Sequence, residues 1–366
     1  MSNVSFAHRL RLRIRETFFR LLRRALLTED GRRIIADTMM GVAGGDRAGL
    51  PASSAPLPYP GLGESPRLES PRLSSSPPPI FITARFRSGS TLLWNIFRHV
   101  PGCTSYYEPL NERQWFNETL RGNRVDASHV GVENYWREYS GLQHLDRWYR
   151  LHWIDQHLYM APTFWEPNLL AYLEALVAAA PGRAVLQFNR VDFRLPWLAH
   201  QFPHALLIHL YRHPRDQWCS SLPAIDSVPL NASVADFASH DGFYLMAWAR
   251  DLSYQFPFLD PRFAEHPYDL FYLIWRLSYA FGRRYCHASF SFEGLCQHPD
   301  VELPRLLKIC GLDLNELDQL ISLVVPPKLC EWGRYADQRW FASREARCDE
   351  ILARFGVASW PEVTRP

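Results

Sequence analysis

From about residue 80 onward, short apolar runs alternate with stretches of helical spacing. Residues 80–85 form an apolar run that stops at a Gly/Ser turn, and residues 91–99 follow with helical spacing. Residues 184–189 and 205–211 are further strand-like runs, each followed by a helix-like stretch. Another strand candidate, 286–292, comes after a long helical pattern over 267–285. Strands alternating with helices predict an α/β fold: three layers, α/β/α, around a central parallel sheet. In such a fold the ligand site lies at the carboxyl ends of the strands. Residues 110–180 break the alternation with aromatic-rich segments of helical spacing, which read as helical insertions over the sheet's edge.

The N-terminal part has a different pattern. Leu10, Ile14, Phe18, Leu21, Leu22, Ala25 and Leu26 follow helical spacing while arginines fill most of the positions between, so residues 1–40 read as a basic amphipathic arm. Such an arm suits peripheral contact with an anionic membrane surface or a partner. It equally suits docking on its own domain, and its Arg-rich, acid-poor character also fits a transit peptide. Residues 51–79 hold nine Pro and seven Ser, including the tandem pentads Glu64–Leu68 and Glu69–Leu73. That composition buries too little apolar surface to offset ordering. Residues 41–78 therefore read as a disordered linker and 79–366 as the catalytic domain.

The chain of 366 residues balances 40 Lys+Arg against 38 Asp+Glu, so bulk charge gives no reason to expect a nucleic-acid partner. Nine arginines against Glu16, Glu29 and Asp30 in residues 1–33 leave the rest of the chain mildly acidic. Lys308 and Lys328 are the only lysines, so an anion-binding loop in the first 300 residues must use Arg, which excludes a Walker-A lysine there. Seven cysteines without a C-x-x-C spacing point to a reducing, cytoplasmic compartment and to no zinc site. No apolar run reaches the length of a membrane span, and the N-terminus lacks the apolar core of a secretory signal.

Two constellations carry the chemistry. The first apolar run leads into Arg87-Ser88-Gly89-Ser90-Thr91 and then a helix. Gly89 permits a positive φ, which lets consecutive backbone N–H groups converge on an anion at the helix N-terminus. Ser90 and Thr91 add hydroxyls and Arg87 a fixed cation, although Ser and Gly are also ordinary capping residues. The apolar run 205–211 ends at Arg212. Pro214 suits the first turn of the next helix, which carries Ser220 eight residues after Arg212. Two separated anion grips at neighbouring strand ends fit a nucleotide with phosphates at both ends of its ribose.

These motifs resemble those of sulfotransferases that use 3′-phosphoadenosine 5′-phosphosulfate (PAPS). In that family an R/K-[ST]-G-[ST]-[ST] loop binds the 5′-phosphosulfate, and an Arg followed eight residues later by Ser binds the 3′-phosphate. A third stretch, Ser291-Phe292-Glu293-Gly294-Leu295-Cys296 with Pro299 and Leu303, is similar to the family's Y-E-D-L-x-x-x-P segment. There an aromatic residue packs near the adenine. Here Phe292 replaces the usual Tyr and Gly294 the Asp. Gly333-Arg334 resembles the Gly/Arg loop that closes over the nucleotide in many members.

The resemblance spans roughly residues 79–356 and implies a P-loop-like fold and transfer of sulfonate from PAPS to a hydroxyl, releasing 3′,5′-ADP with no metal. Arg in place of Lys at position 87 resembles the carbohydrate and tyrosylprotein branches, and the implied acceptor is a saccharide or glycolipid. A P-loop kinase or NTPase, and a catalytically silent nucleotide-binding protein, are the alternatives.

Guanidinium stays protonated, so Arg87 would stabilise the leaving group and the base must lie elsewhere. Glu108, in Tyr107-Glu108-Pro109 and 21 residues past Arg87, resembles the Glu-Pro of carbohydrate sulfotransferases, where that Glu is a favoured base. It equally fits a surface carboxylate or an Arg partner. His213 is a rival base, and His99 reads as structural. Asn189, Arg190 and Asp192 leave another strand end, as ligand contacts or as an internal Arg190–Asp192 ion pair. The nine aromatic residues within 135–165 read as core rather than as sugar-stacking faces. Deleting residues 1–78 is expected to leave a folded, active domain, checked by soluble expression and sulfonate transfer. Loss of soluble expression would show instead that the arm packs on the body.

Overall fold

A computed structural model of the chain describes residues 77–313, 315–325 and 331–357. The predicted basic arm, and the predicted linker up to residue 76, lie outside these residues. The strands are β1 (Ile80–Ala84), β2 (Cys103–Tyr107), β3 (Arg183–Phe188), β4 (Leu206–Tyr211) and β5 (Ala288–Ser291), all parallel, in the order β2-β3-β1-β4-β5. β1 is central, with Ile82 opposite Gln187 of β3 and Ile208 of β4. All five of its residues are buried, which explains why it reads as a continuous apolar run rather than an alternating one. The chain leaves β1, builds β2 and β3 on one side, then crosses to β4 and β5 on the other. That reversal opens a crevice beyond the carboxyl end of β1.

The helices of six or more residues are α1 (Ser90–Arg98), α2 (Pro167–Ala179), α3 (Leu195–Gln201), α4 (Pro214–Ser221), α5 (Leu245–Leu252), α6 (Pro267–Tyr285), α7 (Phe292–Gln297), α8 (Pro299–Cys310), α9 (Leu317–Ser322) and α10 (Gln338–Arg354). On one face, Ile80, Ile82 and Ala84 of β1 pack with Leu93, Ile96 and Phe97 of α1 and with Leu303, Leu306 and Leu307 of α8. On the other, Phe81 meets Phe188 and Phe202 edge-on, and α6 crosses β4. A β-carbon at Gly282 of α6 would lie 2.4 Å from the buried His209 ring of β4, so glycine is what allows this approach. The α6 helix starts at Pro267 with a capping box between His266 and Asp269. Asp269 also takes Arg344 and Arg347 of α10, at 3.1 and 2.6 Å.

The insertion between β2 and β3 departs from the expected helical segments. Up to residue 166 it contains only short 3₁₀ turns, Arg137–Tyr139, Gln143–Arg147 and Leu151–Ile154, and α2 is its one regular α-helix. Aromatic spacing of three to four residues mimicked a helix, but the rings act as long struts. Tyr139, Tyr172 and Tyr149 donate to the carbonyls of Tyr107, Pro109 and Asn111 at 2.9, 2.7 and 2.9 Å. A phenol gives each ring an apolar body to bury and a polar tip to satisfy a backbone acceptor. Tyr135, Tyr139, Tyr149 and Trp153 are core, as expected, whereas Trp165 is 84% exposed. Among the described residues no helix is long and apolar enough to cross a membrane.

Gly282→Ala is expected to destabilise the domain by about 1–3 kcal/mol through overpacking against His209. Chemical denaturation would measure it, and an unchanged midpoint would contradict this packing.

Candidate active site

At the end of β1 the backbone turns sharply. Both the amide and the hydroxyl of Ser88 donate to the Arg85 carbonyl, at 3.2 and 2.6 Å, and the amides of Leu92 and Leu93 donate to that of Gly89. Gly89 has φ +87°, and a β-carbon there would lie 2.1 Å from the Phe292 ring. The first-turn amides of α1, at Ser90 and Thr91, have no acceptor within the helix and form the positive end of its dipole. Ser88 is thus a buried turn-former, while Gly89, Ser90 and Thr91 line a cavity of about 660 Å³.

The second constellation meets the first directly. Arg87 Nε donates to the carbonyl and hydroxyl of Ser220 on α4, at 3.0 and 3.1 Å, and Arg212 Nη1 donates to the Arg87 carbonyl at 3.1 Å. Arg212 also stacks 5.1 Å over the Phe292 ring, and its Nε is buried with no hydrogen-bond partner among the described residues. Burial lowers its pKa, against the pull of Asp216 and Glu293. Phe292, 7% exposed, lies between Gly89 and Arg212 and closes the back of the loop.

Glu108 follows β2 at the same sheet end and lines the same cavity, with 8% exposure. Its Oε2 accepts from Asn111 Nδ2 at 2.6 Å and lies 3.7 Å from Arg190 Nη1. Burial raises its pKa above the ordinary carboxylate value, and the Arg190 charge opposes that rise. Arg190 binds Glu112 at 2.6 Å and Asn189 at 2.8 Å. It does not pair with Asp192, contrary to one of the sequence-based readings. Asp192 instead accepts from Thr83 at 2.5 Å and lies 3.9 Å from Arg85, whose pKa burial lowers to about 10. Though two residues apart past β3, the two side chains take different partners. Arg87, Glu108 and Tyr244 line the cavity at φ of +63°, +39° and +62°. Side chains rarely adopt this left-handed region, and such strain gathers at functional sites.

Of the residues selected from the sequence, Arg87, Gly89, Ser90, Thr91, Glu108, Arg212, Ser220 and Phe292 line one cavity, as does Asn189. Arg334 does not. It sits on the exposed turn Glu331–Arg334, paired with Glu331 at 2.7 Å, because that turn is held elsewhere: Trp332 N–H donates to Asp216 and Arg215 stacks on the Trp332 ring. His213 caps α4, its amide donating to Glu293, and His99 Nδ1 lies 2.8 Å from the Asn95 carbonyl. Neither lines the cavity. Sequence reasoning missed His129, whose Nε2 lies 3.3 Å from Thr91 Oγ1, and Tyr107, whose hydroxyl lies 3.0 Å from the same atom. A lone His in an aperiodic loop carries no local signal.

The sequence profile of the sulfotransferase family matches residues 78–316. Among solved structures, a sulfotransferase domain from the Synechococcus PCC 7002 olefin synthase is similar at 18% identity, covering 81% of this chain and 94% of that one, with a TM-score of 0.34. A sulfotransferase from Mycobacterium avium is similar at 13% identity, covering 78% of each chain, with a TM-score of 0.41. One from Alicyclobacillus acidocaldarius stands at 13% identity, 76% and 94% coverage and a TM-score of 0.36. No significant match was found among curated proteins. With the profile running from the start of β1 through the Arg87–Thr91 turn, the Arg212/Ser220 pair and α8, the chain belongs to the sulfotransferase family and is a sulfonate-transferring enzyme.

Proposed function

We propose that the enzyme uses PAPS and transfers its sulfonate to a hydroxyl of a saccharide or glycolipid. The observation that carries this reading is the direct joining of two anion grips, Arg87 with the α1 N-terminus and Arg212 with Ser220, in one cavity beside a buried carboxylate. The residues fit such a co-substrate: the buried, unpartnered Nε of Arg212 calls for an anion, and the volume falls in the range of about 300–1,000 Å³ usual for ligand sites. PAPS supplies an activated sulfonate whose bond to a phosphate oxygen is exchanged for one to the acceptor oxygen. The α1 amides, Ser90 and Thr91 would hold the 5′ end, and Arg212 with Ser220 the 3′-phosphate. Arg87 would offset charge on the departing oxygen without giving up a proton.

Glu108 takes the acceptor proton in this reading. A carboxylate works as a base near neutrality when burial brings its pKa closer to the working pH, which is the direction found here. Around it, Phe243 and Tyr244 offer half-buried rings, and Asn111, Glu112 and Arg113 offer polar groups. Flat apolar faces beside hydrogen-bonding groups suit a hydroxyl-rich ring, which supports the saccharide class.

Labelled sulfonate transfer from PAPS to a panel of saccharides, glycolipids, phenols and peptides tests the reading. Tight binding of 3′,5′-ADP with no transfer to any acceptor would favour the silent nucleotide-binding alternative. Arg87→Ala and Ser220→Ala are expected to weaken 3′,5′-ADP binding in calorimetry, and unchanged affinity in both would remove the cofactor assignment. Glu108→Gln is expected to keep that affinity and lose roughly 10²- to 10⁴-fold in kcat. Near wild-type turnover would move the base elsewhere.

The same carboxyl also yields a stability prediction. With its pKa raised in the folded state, Glu108 contributes stability that is fully present in acid, below the ordinary carboxylate value, and lost as pH rises through the folded value. Glu108→Gln is neutral throughout. Its denaturation midpoint relative to wild type is therefore expected to rise between acid and neutral pH, and a difference that stays flat with pH would contradict the raised pKa.

A further inference from the structure

One stripe of the phosphate-loop helix is covered by a segment to which the catalytic reading gives no role. Thr91, Asn95 and Arg98 stand at i, i+4 and i+7 of α1, on one face of the helix. The insertion runs along that face. His129 Nε2 lies 3.3 Å from Thr91 Oγ1, and a β-carbon on Gly131 would come 3.9 Å from Asn95 Nδ2. Arg98 donates to the carbonyl and side chain of Asn134 at 2.7 and 2.9 Å, and to both carboxylate oxygens of Glu138 at 2.8 and 3.1 Å. At the far end this latch is an ion pair. At the near end it reaches a hydroxyl of the phosphate loop.

Proton counting defines what that near end does. Tyr135 Oη accepts the Asp126 N–H at 3.0 Å and lies 2.5 Å from His129 Nδ1. A phenol has one proton to give, and among the described residues Nδ1 is the acceptor within reach of it; given there, it leaves His129 as the Nε2–H tautomer. Nε2–H then donates to Thr91 Oγ1, which keeps its own proton for donation. Tyr107 Oη, 3.0 Å away, is a neutral acceptor, whereas a sulfonate or phosphate oxygen is charged and accepts more strongly. Burial and the Arg87 charge lower the imidazole pKa against the pull of Asp126, which keeps the ring neutral near neutral pH.

We infer that His129 is a positioning residue of the phosphate loop: it donates to the Thr91 hydroxyl oxygen and so commits the Thr91 proton to the bound anion. This rests on the cofactor reading given above. This stretch of the insertion is then part of the anion site, reaching Thr91 through His129, and the largely buried latch through Arg98 holds that imidazole in register.

Calorimetry with 3′,5′-ADP on the full chain, near neutral pH, tests it in a double-mutant cycle. His129→Phe keeps a ring but no donor and is expected to raise Kd about fivefold, the worth of one hydrogen bond. His129→Gln retains an N–H donor and is expected to recover most of the loss. In a Thr91→Val background, His129→Phe is expected to change nothing further, because the hydroxyl it acts through is gone. His129→Asn, too short to reach Thr91, replaces the Phe variant in the same cycle should that variant not fold. Additive effects of the two substitutions overturn the inference in favour of a purely structural latch. Affinity that falls in Arg212→Ala but is equal in wild type and His129→Phe overturns the His129 role alone. Affinity insensitive to Arg212→Ala overturns the cofactor reading and this inference with it.

Discussion

The hydrogen bonds from Arg87 to Ser220, and from Arg212 back to the Arg87 carbonyl, tie the end of β1 to the end of β4 and the helix that follows it. Neither strand end alone is more than a weak anion-binding turn. Because β1 and β4 are parallel neighbours, their carboxyl ends emerge side by side, and two arginines can share one cavity. Like charges brought this close repel, and the cost is contained by giving each guanidinium a carbonyl, a hydroxyl or an aromatic face.

The Glu108 carboxyl depends on a different part of the chain. Glu108 is held at positive φ while three tyrosines of the insertion donate to the carbonyls of residues on either side of it. Strain of this kind persists only where the surroundings overdetermine the backbone. The aromatic insertion supplies that constraint, and burial of the same carboxyl at the cavity wall raises its pKa. Arg190, itself engaged by Glu112, opposes the rise but stands far enough from Glu108 not to cancel it.

Several features were legible because they are local. Buried parallel strands appear as unbroken apolar runs, and a Gly/Ser turn before a helix shows in the local residue types. The eight-residue spacing of Arg212 and Ser220 is one strand end plus two helical turns, with Pro214 marking where the helix begins. The α6 boundaries were likewise visible from spacing and a proline at the first turn. The insertion was misread for the same reason in reverse: aromatic residues three or four apart look helical, yet long rings can reach a core from irregular backbone.

What the sequence determined by itself was most of the alternation of strands and helices, the motif residues at the ends of β1 and β4, and the undeprotonatable cation at position 87. Tertiary structure alone decided which charges pair. Arg190 and Asp192 stand two residues apart yet take different partners, and Arg334, chosen for its motif, is drawn away by the docking of its turn on Asp216 and Arg215. Tertiary structure also brought His129 to Thr91 across a long insertion. Pairing and pKa depend on distance and burial, and both are set by where the chain returns in space rather than by spacing along it.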